Sequence, residues 1–138
     1  MWNMRILNIE DSVYKHVNIC KVLSDVSEHN VERATNLQEA VEMISSSIDS
    51  QEPYDLLITD MWYPETKCGK DAQSGDVLIE LVKKNNWGIP IILCSSVNYY
   101  YSDILGNIHY SDNENWEEKL RGLIKELKIS VLKRGKSC

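Results

Sequence analysis

Apolar runs of strand length alternate with stretches of helical period along this chain, and that alternation restricts the fold more than any other feature. Met4 to Ile9, Val31 to Thr35, Tyr54 to Thr59 and Ile89 to Cys94 read as strands, with Asn107 to Tyr110 as a weaker fifth. They are mostly apolar, as strands covered on both faces are. Between them, Val13 to Val26, Leu37 to about Ser47 and Ser74 to about Asn85 carry apolar residues at one-face helical spacing. The expected inward sets are Val17, Cys20 and Leu23 in the first helix, Leu37, Ala40, Val41 and Ile44 in the second, and Val77, Leu78, Leu81 and Val82 in the third. Asp11-Ser12 and Asn36 supply the caps. Trp116 to Leu132 closes the chain as an amphipathic helix with Leu120, Leu123, Ile124 and Leu127 inward. Strands joined through helices run parallel, because parallel neighbours need right-handed crossovers. The expected fold is therefore α/β, a doubly wound five-stranded parallel sheet with helices on both faces. It spans 1–132 as a single domain, and 133–138 forms a basic C-terminal tail.

Two of the strands end on acids: Glu10-Asp11 follows the first, and Asp60 the third. In open sheets of this kind the site lies at the carboxyl ends of the strands, where Ser95 also falls, after the fourth. Carboxylates brought within a few ångströms of one another repel, so they either bind a divalent cation or are forced to keep a proton. A metal-dependent site is the expectation. Acids at strand ends also cap helices, as Asp11-Ser12 can on its own, and a serine in a loop is weak by itself. The three acids in register with Ser95 favour the site.

The net charge of −6 opposes the broad cationic surface of non-specific nucleic-acid binding, although Lys128, Lys133, Arg134 and Lys136 make the end locally basic. No apolar run approaches the roughly 20 residues that span a bilayer, and the start of the chain lacks a signal core. The expected location is the cytoplasm, with no membrane partner and no direct nucleic-acid partner. Cys20, Cys68, Cys94 and Cys138 are scattered with no C-x-x-C pair, so neither a zinc site nor a disulfide framework is expected.

These residues resemble the response-regulator receiver domain of two-component signalling over nearly the full chain. The pair Glu10-Asp11, Asp60 with Pro64 four residues on, Ser95 after Ile-Pro-Ile-Ile-Leu, and Gly75 at the start of the third helix follow that family's order and spacing. The resemblance implies strand order 2-1-3-4-5, which sets the first and third strands side by side. It implies that Asp60 accepts a phosphoryl group from a phosphohistidine of a histidine kinase or phosphotransfer protein. It further implies Mg²⁺ held by Glu10, Asp11, Asp60 and the backbone carbonyl of Trp62, Ser95 donating its hydroxyl to the phosphate, and a downstream protein partner. No enzyme activity beyond phosphorylation and dephosphorylation of the chain itself is implied.

The chain departs from the family pattern where a lysine is expected at the end of the fifth strand. The window Ile108-His109-Tyr110-Ser111-Asp112 contains none. Counting back from the last helix places His109 there, aligning on the strand places Ser111 there, and Lys67 or Lys70 of the long loop after Asp60 is a further source of a cation. The interval between Ser95 and Gly106 leaves room for only a short or irregular fourth helix, and Tyr99-Tyr100-Tyr101 fills much of it. The competing reading is a pseudo-receiver, an interaction module without regulated phosphorylation. A metal-dependent phosphatase or nuclease is a third, but such enzymes commonly use a second acid where this chain has Trp62.

Overall fold

The computed structural model describes residues 3–26 and 29–136, with the side chains of 29 and 133–136 outside the description. Five parallel strands form the sheet: β1 (Met4–Ile9), β2 (His29–Ala34), β3 (Leu56–Thr59), β6 (Ile91–Ser95) and β7 (Gly106–His109). Their order is β2-β1-β3-β6-β7, the doubly wound order expected. Helices α1 (Val13–Ser24), α2 (Leu37–Asp49), α3 (Ser74–Lys84) and α4 (Trp116–Lys136) cover the two faces. The remaining strands, β4 (Tyr63–Pro64) and β5 (Asp71–Ala72), pair antiparallel with each other. No helix among the described residues is long and apolar enough to cross a membrane.

Strand alternation sorts the core into two layers. Met4 and Ile6 of β1, Leu56 and Ile58 of β3, and Ile92 and Cys94 of β6 pack with Ile19, Val22 and Leu23 of α1 and Leu120, Ile124 and Leu127 of α4. Leu7 and Ile9, Leu57 and Ile91 pack on the other side with Ala40 and Ile44 of α2 and Leu78, Ile79 and Val82 of α3. Register pairs Ile9 with Thr59, so the residues that follow them, Glu10 and Asp60, leave the sheet side by side. Asn36 caps α2 by accepting from Glu39 N at 2.9 Å, while Glu39 Oε1 reaches back past the cap to accept from Thr35 N at 2.9 Å.

Several expectations are corrected. The inward face of α1 is Lys15, Ile19, Val22 and Leu23, whereas Val17 is 43% exposed. The helix carries apolar residues on two faces, and the sheet selected the set that includes a lysine. In α3, Val77 lies outward and Ile79 inward. The segment after Asp60, expected as a long loop, contains the β4–β5 hairpin, closed where Gly69 N donates to Thr66 O at 3.0 Å beside Cys68 at φ 69°. Residues 96–105 contain no helix; they form a strap tied down by Trp62 Nε1 to Tyr99 Oη, Tyr101 Oη to Asp76 Oδ1 and the Lys83–Asp103 ion pair. Helix α4 continues past Leu132 to Lys136, while the side chains of the expected basic tail lie outside the described residues.

Leu120 is fully buried between α4 and the sheet. Leu120→Ala is expected to lower stability by about 2–5 kcal/mol through lost burial and the cavity left behind. Urea unfolding checks this, with an unchanged m-value expected.

Candidate functional site

Alternation carries past the strand ends and decides which acids meet. Asn8 and Glu10 continue the even-numbered face of β1, Asp60 that of β3, and Cys94 stands on the same face of β6, so all of them look toward α1. Asn8 is buried, donating to Ile58 O at 2.9 Å and facing His16 Nδ1 at 2.7 Å. Arg33 of β2 holds the β1–α1 loop, with Nε on Glu10 O and a terminal nitrogen on Asp11 O, both at 2.9 Å. Asp60 N donates to Ile9 O at 3.1 Å, and its Oδ1 accepts from Met61 N at 2.7 Å.

One ligand oxygen from each of Glu10, Asp11 and Asp60 lies within 4.8 Å of the others. Glu10 is 1% exposed, Asp11 is exposed and Asp60 is intermediate. They open into a cleft of about 880 Å³ whose walls include Lys15, Trp62 and Asp71. The hairpin brings Asp71 to this rim, where burial first, and then the charge of Asp71, lift the Asp11 carboxyl above its ordinary pKa. Burial likewise lifts Glu10; Lys15 pulls it down, and Asp60 adds to the rise.

Lys15 is the residue that sequence reasoning missed. It is 7% exposed, and its Nζ lies 2.7 Å from Cys94 O, 3.0 Å from Glu10 Oε1 and 3.4 Å from Asp60 Oδ1. The Tyr110 ring faces the ammonium at 5.1 Å, within the range of a cation–π contact. Burial works against the charge, but Cys94, Glu10 and Asp60 outweigh it and leave the pKa of Lys15 raised. A lysine in the first turn of a helix is opposed by the macrodipole, so these partners hold it there. Lys15 shares a helical face with Ile19, Val22 and Leu23, but nothing in the sequence says that the sheet covers this face and not the one that carries Val17 and Cys20.

The donor set fits a divalent cation. Glu10 Oε1 is fully buried and accepts no directed hydrogen bond, although the Lys15 ammonium lies beside it. Three carboxylates against one ammonium leave two negative charges, the charge a divalent ion neutralises. A few carboxylates with open solvent on one side suit the octahedral, partly hydrated preference of Mg²⁺.

Other expected site residues lie elsewhere around the rim. Ser95 is buried on the opposite strand face, its Oγ accepting from Val97 N at 3.3 Å, and Ser96 lines the cleft. His109 faces Ser96 O at 3.0 Å and Glu114 at 3.6 Å. Lys67 and Lys70 are exposed and do not line the cleft. The Trp62 side chain is 41% exposed at the cleft mouth.

No protein-family model and no curated protein matches the sequence. Solved structures match it closely in shape. The signal receiver domain of an HD domain-containing protein from Pseudomonas fluorescens aligns with TM-score 0.69 at 13% identity, covering 94% of this chain and 97% of that one. The response regulator TrrA from Thermotoga maritima, solved in complex with Mg²⁺-BeF, aligns with TM-score 0.66 at 24% identity over 90% and 98%. The chemotaxis response regulator CheY4 of Vibrio cholerae aligns with TM-score 0.63 at 17% identity over 91% and 99%. The chain has the receiver fold of response regulators.

Gly75 sets the depth of the site from below. A Cβ there would overlap Asp60 O and approach Met61 Cα to 2.8 Å, and Gly75 N donates to Met61 O at 2.9 Å. Backbone on both sides cannot yield as a side chain tip can, so Gly75→Ala is expected to cost about 1–3 kcal/mol by overpacking. It should also displace Asp60. Thermal unfolding together with Mg²⁺ titration checks both effects.

Proposed function

We propose that the chain is a phospho-accepting receiver that binds Mg²⁺ and takes a phosphoryl group on Asp60 from a histidine kinase or phosphotransfer protein. It signals by protein contact and has no catalytic output of its own. The observation that carries this reading is the convergence of Glu10, Asp11 and Asp60 at the carboxyl edge of a receiver-fold sheet. The bound Mg²⁺-BeF of the TrrA structure, a receiver-fold neighbour, accords with it.

Asp60 is the nucleophile. Met61 N and Lys15 Nζ both contact Oδ1, so Oδ2 would be the attacking oxygen. A P–O bond forms as the donor's P–N bond breaks, and the electron pair leaves on the imidazole nitrogen. Mg²⁺, when bound, screens the charges of carboxylate and phosphoryl group as they approach. Glu10 and Asp11 would hold it together with Asp60, and the Trp62 carbonyl completes the proposed protein ligands. Ser95 closes on the phosphate only by turning from the buried strand face on which it lies. The location would be cytoplasmic, and 1–132 would form the single receiver domain.

The pseudo-receiver reading keeps two observations in its favour. The strap at 96–105 replaces the fourth helix and is pinned to α3 through Asp76 and Lys83, which restrains the surface through which such a domain would respond. The absence of a lysine from the Ile108 to Asp112 window also favours it.

Incubation with Mg²⁺ and phosphoramidate, read by intact mass, is expected to give one phosphoryl adduct that Asp60→Asn abolishes. Persistent absence of the adduct on the wild-type chain supports the interaction module instead. Mg²⁺ titration followed by tryptophan fluorescence is expected to show a signal through Trp62. Asp11→Asn should weaken binding by about tenfold or more, as loss of metal-site groups does.

A further inference from the structure

We infer that the Lys15 ammonium performs two tasks in turn: it bridges Glu10 and Asp60 while no divalent ion is bound, and it engages the phosphoryl group once Asp60 carries one. The inference rests on the receiver reading and assigns a residue that the reading does not require. In the sheet order β2-β1-β3-β6-β7, a cation for this cleft could arrive from the end of β7. That end carries Tyr110, whose ring faces Lys15 instead. The cation therefore enters from α1, across the first strand, and is seated by four groups: Cys94 O, Glu10 Oε1, Asp60 Oδ1 and the Tyr110 face.

The seat has a physical consequence. Lys15 touches two of the three carboxylates that would ligate the metal, so ammonium and metal draw on the same negative charge. A compact ammonium on a flexible four-carbon stem can pivot about its Cys94 anchor without moving the helix. When the metal neutralises Glu10 and Asp11, the attraction on Lys15 toward Glu10 falls. The strongest acceptor left near its reach is then a phosphoryl oxygen on Asp60, one residue partner away. Lys15 gives up no proton in the transfer; the leaving nitrogen of the donor is protonated from solvent.

The two tasks pull a Lys15 variant in opposite directions, which separates them from a packing role. Removing the ammonium leaves more negative charge for the metal, so Lys15→Met should bind Mg²⁺ at least fivefold more tightly by tryptophan fluorescence. Added Mg²⁺ should also raise its melting temperature more than it raises that of the wild type. At saturating phosphoramidate and Mg²⁺, its adduct should form at least tenfold more slowly, with part of the rate recovered in Lys15→Arg. Circular dichroism establishes folding, and Lys15→Gln, which has the reach of methionine and keeps a hydrogen-bond donor, replaces the methionine variant should that one not fold. A packing role alone predicts weaker Mg²⁺ binding in either neutral variant, and that result overturns the inference. A wild-type adduct formed equally fast by the neutral variant overturns it while leaving the receiver reading in place. A wild-type chain that forms no adduct overturns both.

Discussion

A buried ammonium among carboxylates organises this protein. Lys15 Nζ stands 3.0 Å from Glu10 and 3.4 Å from Asp60, and without it those two acids would face each other at the strand ends. Buried pairs of this kind add little net stability, but losing one partner strands a charge at a cost of about 3–5 kcal/mol. The charges are therefore tied to one another. The arrangement still carries more negative than positive charge, and that surplus is what the proposed divalent ion would neutralise.

The fold supplies this arrangement through elementary periodicities. Parallel pairing of β1 with β3 in register sets Glu10 beside Asp60, and two-residue alternation turns both toward the helix layer that holds α1. The period of α1 then carries Ile19, Val22 and Leu23 into the core and Lys15 to its upper edge. Arg33 and Gly75 act at the margins: one ties down the carbonyls of the acidic pair, and the other admits the start of α3 against the backbone of Asp60. Each device is local, yet together they place atoms from distant parts of the chain within hydrogen-bond range.

Much of this could be read from residues alone. The acids were legible because apolar runs ending in carboxylates are conspicuous and because parallel topology admits few arrangements. Lys15 was not, since α1 has two apolar faces that share Leu23: Val17 and Cys20 compete with Ile19 and Val22, and only the opposing sheet decides between them. The β4–β5 hairpin escaped because paired segments of two residues leave no periodic signal. The shortage of room after Ser95 was visible in the chain, whereas the strap and its ties to Trp62, Asp76 and Lys83 depend on tertiary neighbours.

A crystal structure with Mg²⁺ and beryllofluoride tests the account most directly, because it displays metal, phosphoryl mimic and ammonium together. The account predicts the fluoride group on Asp60, the metal among Glu10, Asp11 and Asp60, and Lys15 Nζ moved from Glu10 to within hydrogen-bond distance of a fluorine. An ordered complex with the metal elsewhere, or with Lys15 still seated on Glu10 and remote from the fluorines, would contradict it.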